Sequence, residues 1–488
     1  MAELICISKV IKMRTSEEYF EKLCRMRKNV YMDGKLVGRD DPRLIQAISV
    51  MGKTFDLVED PKFRGLITVE SHLTGEEVNR FTHINRSTED LLTKQKMIRK
   101  ACHLTGGCIQ RCMGCDAINA LSVITYELDQ SFSTEYYKRF LKFLEYFQKN
   151  DLTAAAAQTD VKGDRSLRPF QQKDPDLYVH IVEKRDDGIV VRGAKNHITM
   201  AAYADEIICL PTRMMTENDA DYSVAFAVPA DAEGVKLITH VTNPRPRTKF
   251  EAPVAEYGFA DSFVIFDDLF VPNERVFMCG EPPPFAGLLA HMFALYHRHS
   301  YTGCKPAVTD MITGASALVA DYQGIAGKTH VRSKLAHLVS VAELVYAAGI
   351  ASAVTAQASS SGTFVPDTVY TNVGRRHAGV NIYHESEILA DLAGGLPATL
   401  PYEGDFVSPE TRPYMEKYIM RKADVPAEKV HRCFRLISDM ICSAAGGAAA
   451  VAGVHGGGSP VMEEILITAT YDFEEKKKIA KYLAGIEE

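Results

Sequence analysis

The chain has 488 residues and a mass of 54.0 kDa, room for about three domains and a large buried core. It is 46% hydrophobic and 24% charged, which excludes a disordered protein. Lys and Arg number 56 against 63 Asp and Glu, a net charge of -7, so nothing marks nucleic acid as the main partner.

Residues 1–12 form a short apolar patch broken by Lys9 and Lys12, without the long apolar region or small-residue cleavage site of a signal peptide. Thr15-Ser16-Glu17-Glu18 predicts a capping box and a helix over 16–31. Helical spacing continues over 90–100 and 107–129, so residues 1–148 are expected to form an N-terminal α-helical domain. From 149 to 280 the chain changes character. Short β-rich runs at 178–182, 189–191, 207–210, 222–226 and 263–266 predict a small barrel or sandwich, with Asp186-Asp187-Gly188 as a hairpin turn. From 281 to 488 apolar, Ala-rich stretches at 331–357, 382–392 and 430–454 predict a helical bundle, the second of them stopped by Gly394-Gly395. The fold class is therefore α+β, in the order α, β, α. No apolar run reaches the roughly 18 residues of a membrane span, so no membrane partner is expected.

Eleven cysteines, an odd number without a disulfide-framework spacing, point to a reducing, cytoplasmic compartment. Cys108, Cys112 and Cys115 stand at i, i+4 and i+7, the spacing of one helix face. Such a stripe suits a metal centre, and it suits core packing equally. His297, Tyr301 and Cys304 repeat the spacing about 190 residues later. Two facing helices would then offer thiols and an imidazole to one soft centre, zinc or iron–sulfur. Spacing alone does not choose between these metals.

Further motifs extend over nearly the whole length: Asn79-Arg80-Phe81, Thr159-Asp160-Val161-Lys162-Gly163-Asp164-Arg165, Val190-Val191-Arg192-Gly193-Ala194-Lys195, Tyr296-His297-Arg298, Ala393-Gly394-Gly395-Leu396 and His455-Gly456-Gly457-Gly458-Ser459-Pro460. In these the chain resembles the 4-hydroxybutyryl-CoA dehydratase family, within a wider flavoprotein group that includes 4-hydroxyphenylacetate monooxygenases. The resemblance implies the three-part build of acyl-CoA dehydrogenases, a homotetramer, and FAD beside a [4Fe-4S] cluster held by Cys108, Cys112, His297 and Cys304. Cys102 and Cys115 are then extra thiols, the second read as packing. Flavin contacts are implied for Asp160, Lys162, Gly163, Asp164, Arg165 and Thr199, and for Gly394 and Gly395 from a neighbouring subunit. A surface turn, a structural strand threonine and a plain helix cap are the ordinary readings of those three groups.

The implied chemistry dehydrates 4-hydroxybutyryl-CoA to crotonyl-CoA and isomerises vinylacetyl-CoA. The unactivated β-hydrogen is too weakly acidic for any side-chain base, so α-deprotonation and one-electron transfer to flavin come first, and an iron acts as Lewis acid on the hydroxyl. His297 is ligand and candidate base, Tyr301 a proton donor, Lys305 a positive charge, and Gln110 a hydrogen-bonding group for substrate. Two departures stand out. Residues 451–454, before His455, contain no carboxylate where the family has a glutamate, and Asp261 takes the place of another. These leave open a different hydroxyacyl- or enoyl-CoA. An aromatic monooxygenase without a cluster, and a metal-bound protein that has lost catalysis, are the remaining alternatives.

Overall fold

In the computed structural model, which describes residues 13–486, the capping box at Thr15 forms: its hydroxyl accepts from the Glu18 amide, and Glu18 reaches back to the Thr15 amide. The reading of residues 1–12 lies outside the described residues. The helix that follows, α1 (Ser16–Arg25), stops earlier than predicted. Val30 and Tyr31 suit a pleated surface better than a helix, and they enter strand β1 (Val30–Met32). With β2 (Lys35–Val37) it makes a hairpin on the edge of the main sheet. A second hairpin, β3 (Thr68–Glu70) and β4 (Glu77–Asn79), lies between α2 (Ile45–Asp56) and α3 (Thr88–Thr105). The first 148 residues are therefore helical with two inserted hairpins, one of which belongs to the β layer.

Helices α4 (Cys112–Phe132) and α5 (Tyr136–Lys149) lead into that layer. Its strands are β5 (Ala154–Ala157), β6 (His180–Lys184), β7 (Gly188–Thr199), β8 (Glu206–Cys209), β9 (Val224–Pro229), β10 (Val235–Thr242), β11 (Phe259–Pro272) and β12 (Val276–Cys279). They form a six-stranded sheet, β2-β1-β10-β11-β7-β6, and a four-stranded sheet, β12-β9-β8-β5. The Asp186–Gly188 turn joins antiparallel β6 and β7 as predicted. Phe226 of β9 meets Phe266 of β11 with ring centroids 5.3 Å apart, tying the sheets through a shared core. β5 is four buried alanines, a strand made by parallel pairing with β8 rather than by β propensity.

The C-terminal region is helical: α6 (Phe285–Tyr322), α7 (Thr329–Val354), α8 (Thr368–Ala393), α9 (Ala427–Ile441), α10 (Ala444–His455), α11 (Pro460–Thr470) and α12 (Phe473–Ala484). The single helix expected over 430–454 is broken at Cys442–Ser443, where Ser443 caps a new start, and Ala427–Ile441 is bent by 49° from Ala444–Thr470. Gly394 ends α8 with φ +69°. Helix α6 runs on through Pro306. Helix α7 is long and apolar enough, by length and composition, to cross a membrane; here it packs with α6 and α8.

Two close approaches position the site. A Cβ on Gly114 would stand 2.7 Å from the Ala154 carbonyl oxygen, so this glycine lets α4 lie directly on β5. A Cβ on Gly303 would stand 2.6 Å from the Gln95 carbonyl oxygen, so α6 lies against α3 in the same way. The first seats α4 on the sheet and the second seats α6 on α3.

Candidate metal centre and active site

Helix α3 ends at Gly106, in the left-handed conformation at φ +68°, and α4 begins only at Cys112. Cys108 therefore lies in the connecting turn, not on the helical stripe the spacing predicts. Gln110, at φ +64°, turns the chain back, and its amide donates to the Cys108 sulfur at 3.4 Å. The turn still brings the expected groups together. Cys108 lies close enough to Cys112, and to Cys304 arriving from α6, for the three thiols to shift one another's acidity. A ring nitrogen of His297 lies within 4.8 Å of the Cys112 sulfur. The interaction with Cys112 and Cys304 draws the Cys108 thiol below its usual range, and the same interaction, with burial, pushes those two partners up. Three sulfurs and one imidazole from a turn, a helix start and a facing helix make a soft donor set of the kind that iron–sulfur clusters use. The extra thiols differ. Cys115 points away, toward the carbonyls of Arg80 and His83 at 3.8 and 3.7 Å, while buried Cys102 lies beside Cys108.

Two residues that the spacing argument missed complete this seam. Asp116, one turn after Cys112 and fully buried, receives His297 Nδ1 at 2.9 Å, Ser300 Oγ at 2.8 Å and Lys94 Nζ at 2.5 Å. Burial would raise its carboxyl, but Lys94 and the bond from His297 outweigh it and hold the group below the usual carboxylate range. Lys94 is itself held above its usual range: burial opposes its charge, and Asp116 overcomes that. A charged residue inside the apolar stretch 113–121 is the sequence signal that could have found Asp116.

The other expected residues fall into three groups. Around the seam, the Tyr301 hydroxyl donates to the Gly453 carbonyl at 2.7 Å, Arg375 covers its ring at 4.2 Å, and burial holds the phenol protonated. Lys305 is ion-paired, with buried Glu385 at 2.5 Å. Gln110 accepts from Tyr203 at 2.5 Å and turns its amide to the Gly258 carbonyl at 3.4 Å, so both ends of its side chain already brace protein.

On the sheet, Asp261 and Thr199 are cross-strand partners, and the Thr199 hydroxyl donates to Asp261 at 2.5 Å. That commits the threonine proton to Asp261 and leaves its oxygen able only to accept. Burial pushes the Asp261 carboxyl up, with Thr199 opposing.

In the loop at 160–165 the residues divide. Asp160 is turned inward, buried and paired with Lys195 at 2.9 Å, so it anchors the loop instead of lining an open face. Asp164 accepts from the backbone amide and hydroxyl of Ser166. Gly163 at φ +52° and Arg165 face outward, with Lys162 half-buried. Burial and the neighbouring Arg165, Lys195 and Arg213 lower the Lys162 ammonium, with Asp160 opposing. Gly394 and Gly395 are exposed with open space beside them.

Residues 15–278 and 286–485 match the models for the N-terminal and C-terminal parts of 4-hydroxyphenylacetate 3-hydroxylase. The chain is 38% identical over 489 residues to the 4-hydroxybutyryl-CoA dehydratase/vinylacetyl-CoA-Δ-isomerase of Clostridium aminobutyricum, covering 97% of this chain and 100% of the relative. The chain belongs to the 4-hydroxybutyryl-CoA dehydratase family. It is an enzyme of the lyase and isomerase kind. An oxygen-tolerant archaeal member of the family from N. maritimus superposes with a TM-score of 0.92 at 38% identity, over 98% of this chain and 96% of that one. The more distant monooxygenase branch is represented by an oxygenase component from Thermus thermophilus, 29% identical over 89% of each chain. A solved oxygenase component of 4-hydroxyphenylacetate 3-monooxygenase, complexed with FAD, superposes at a TM-score of 0.87 with 25% identity, covering 96% of this chain and 98% of that one.

Proposed function

We propose that this enzyme converts 4-hydroxybutyryl-CoA to crotonyl-CoA and isomerises vinylacetyl-CoA, using FAD and a [4Fe-4S] cluster held by Cys108, Cys112, Cys304 and His297. The observation that carries the reading is the convergence of these three sulfurs and one imidazole in a chain 38% identical to a dehydratase of that activity. When bound, the flavin supplies one-electron chemistry and the cluster supplies a Lewis acid for the hydroxyl.

The protein's own groups handle protons and position. Asp261, whose carboxyl burial has raised, is a base nearer to neutral pH than an ordinary aspartate, held in place by Thr199. Tyr301, kept protonated, donates a proton and is fixed by the Gly453 carbonyl and the Arg375 stack. Lys305 stays close through Glu385. His297 keeps only Nε2 for the metal, since Nδ1 is taken by Asp116. Lys162, Gly163 and Arg165 would meet the flavin diphosphate, and Gly394 and Gly395, exposed on their own chain, would meet the flavin of a neighbouring subunit in a homotetramer. The division into residues 1–148, 149–280 and 281–488 follows the change from helix to sheet to helix, in the manner of acyl-CoA dehydrogenases. The odd cysteine count supports a cytoplasmic setting.

A second reading keeps the scaffold and changes the acyl group. It is favoured by Gly453, which offers Tyr301 a backbone carbonyl in a stretch without a carboxylate, and by Asp261, whose short side chain is already tied to Thr199. An anaerobic assay with 4-hydroxybutyryl-CoA and vinylacetyl-CoA decides between them. Crotonyl-CoA from both supports the proposal. Product from vinylacetyl-CoA alone supports the altered substrate, and product from neither contradicts both named reactions.

A further inference from the structure

Asp116 looks at first like a fourth metal donor, because one of its oxygens lies within 4.8 Å of both the Cys112 sulfur and a His297 nitrogen. Its hydrogen bonds argue otherwise. Oδ1 accepts from Lys94 and Ser300, and Oδ2 accepts from His297 Nδ1. To bind metal, the carboxylate would have to leave a buried ammonium or the imidazole without its partner. A carboxylate is also a hard donor among soft sulfurs.

Helix periodicity builds the arrangement. Cys112 and Asp116 are i, i+4 on α4, and His297 and Ser300 are i, i+3 on α6. One turn of each helix thus carries both a proposed ligand and a brace. Lys94 comes from α3, so three helices meet at one carboxylate. The imidazole is held on its other sides as well. Phe293 stacks on it at 5.8 Å with only 4° between the rings, and Gly457 fits so closely that a Cβ there would stand 3.2 Å from His297 Cδ2. A carboxylate that already takes donors from Lys94 and Ser300 can only accept from the ring, so the proton sits on Nδ1 and the lone pair on Nε2.

We propose that Asp116, braced by Lys94 and Ser300, is a positioning residue that fixes the Nδ1–H tautomer and the ring orientation of His297 while binding no metal itself. The inference rests on the four-ligand cluster proposed above, and its test separates the two. Asp116→Ala and Asp116→Asn holoenzymes, prepared anaerobically, are compared with the parent for iron release to a chelator and for the imidazole 14N coupling in pulsed EPR of the reduced protein. Loss of a buried partner to a metal-bound histidine predicts about 10- to 100-fold faster release and a changed coupling for Ala, with Asn intermediate because its carbonyl restores an acceptor. Parent release rates with an unchanged coupling overturn the proposal. So does an altered iron environment with the nitrogen coupling intact, which would make Asp116 a ligand. If Asp116→Ala does not fold, Ser300→Ala removes one brace and is expected to speed release by about threefold, below the range for losing the whole partner. Should the parent hold no iron, the cluster reading fails by itself. The tautomer is then read by 15N NMR of histidine-labelled protein, assigned with His297→Gln: an Nδ1–H signal in the parent that is lost in Asp116→Ala upholds the positioning role, and identical spectra overturn it.

Discussion

At the seam of α3, α4 and α6, polar side chains answer one another within a single chain: Lys94, Ser300 and His297 meet at Asp116, and Lys305 pairs with Glu385. In α10–α12 the pattern is reversed. Helix α10 is almost wholly apolar yet buries no residue, α12 buries none, and α11 buries only Glu463. Val461, Tyr482 and Leu483 are 61%, 83% and 77% exposed. The comparison teaches that the thiols and the imidazole are brought together by one chain's own packing, whereas the C-terminal arm leaves apolar side chains exposed. It predicts that changes in the seam act on iron and stability inside the subunit, and changes to the exposed apolar side chains of the arm, away from Gly453 and Gly457, act on assembly.

The largest effect is expected from the donors. Cys112→Ala should lower bound iron at least about tenfold while leaving the far-ultraviolet circular dichroism unchanged, and full iron would break the comparison at its root. Next comes Lys94→Met, which leaves Asp116 with an uncompensated buried charge. Urea unfolding should show a loss of about 3–5 kcal/mol, and the Lys94→Met, Asp116→Asn double variant should recover part of it. Gly303→Ala pushes a methyl against the Gln95 backbone and should cost about 1–3 kcal/mol, with reduced iron because Cys304 moves with its helix.

A pH experiment sharpens the same contrast. Asp205 is buried and paired with Arg14 and Lys22, each at 2.8 Å; burial raises its carboxyl, but these cations prevail and bring it down to about 2. Its folded value is below its unfolded value, so its contribution is present above the unfolded pKa and is lost as pH falls toward 2. Asp205→Asn should remove about 2 kcal/mol at neutral pH and flatten the acid-side fall in urea midpoint; an unchanged slope would contradict the assignment. The smallest effect on iron is expected in the arm. Tyr482→Ser with Leu483→Ser should lower the assembly mass and flavin occupancy and leave iron per chain as in the parent.

The helical half of this site was legible because its signals are local. The box at Thr15, the turn at Asp186–Gly188, the stop at Gly394 and the His297–Tyr301–Cys304 face all depend on residues a few positions apart. Cys108 broke the pattern because Gly106 and Gln110 adopt positive φ, which a spacing count does not register. Asp116 and His297 are 181 residues apart, and Asp160 meets Lys195 across a strand, so neither partnership is written in any window of sequence. Strand β5 escaped for another reason: four alanines carry no β preference, and only burial beside β8 makes them a strand.

The most direct test is the iron and acid-labile sulfide content of the anaerobically purified full chain, read with its electronic spectrum. The account predicts about four irons and four sulfides per chain together with a flavin band. A protein that carries flavin but no iron, with Cys108, Cys112 and Cys304 all reacting as free thiols, would contradict it.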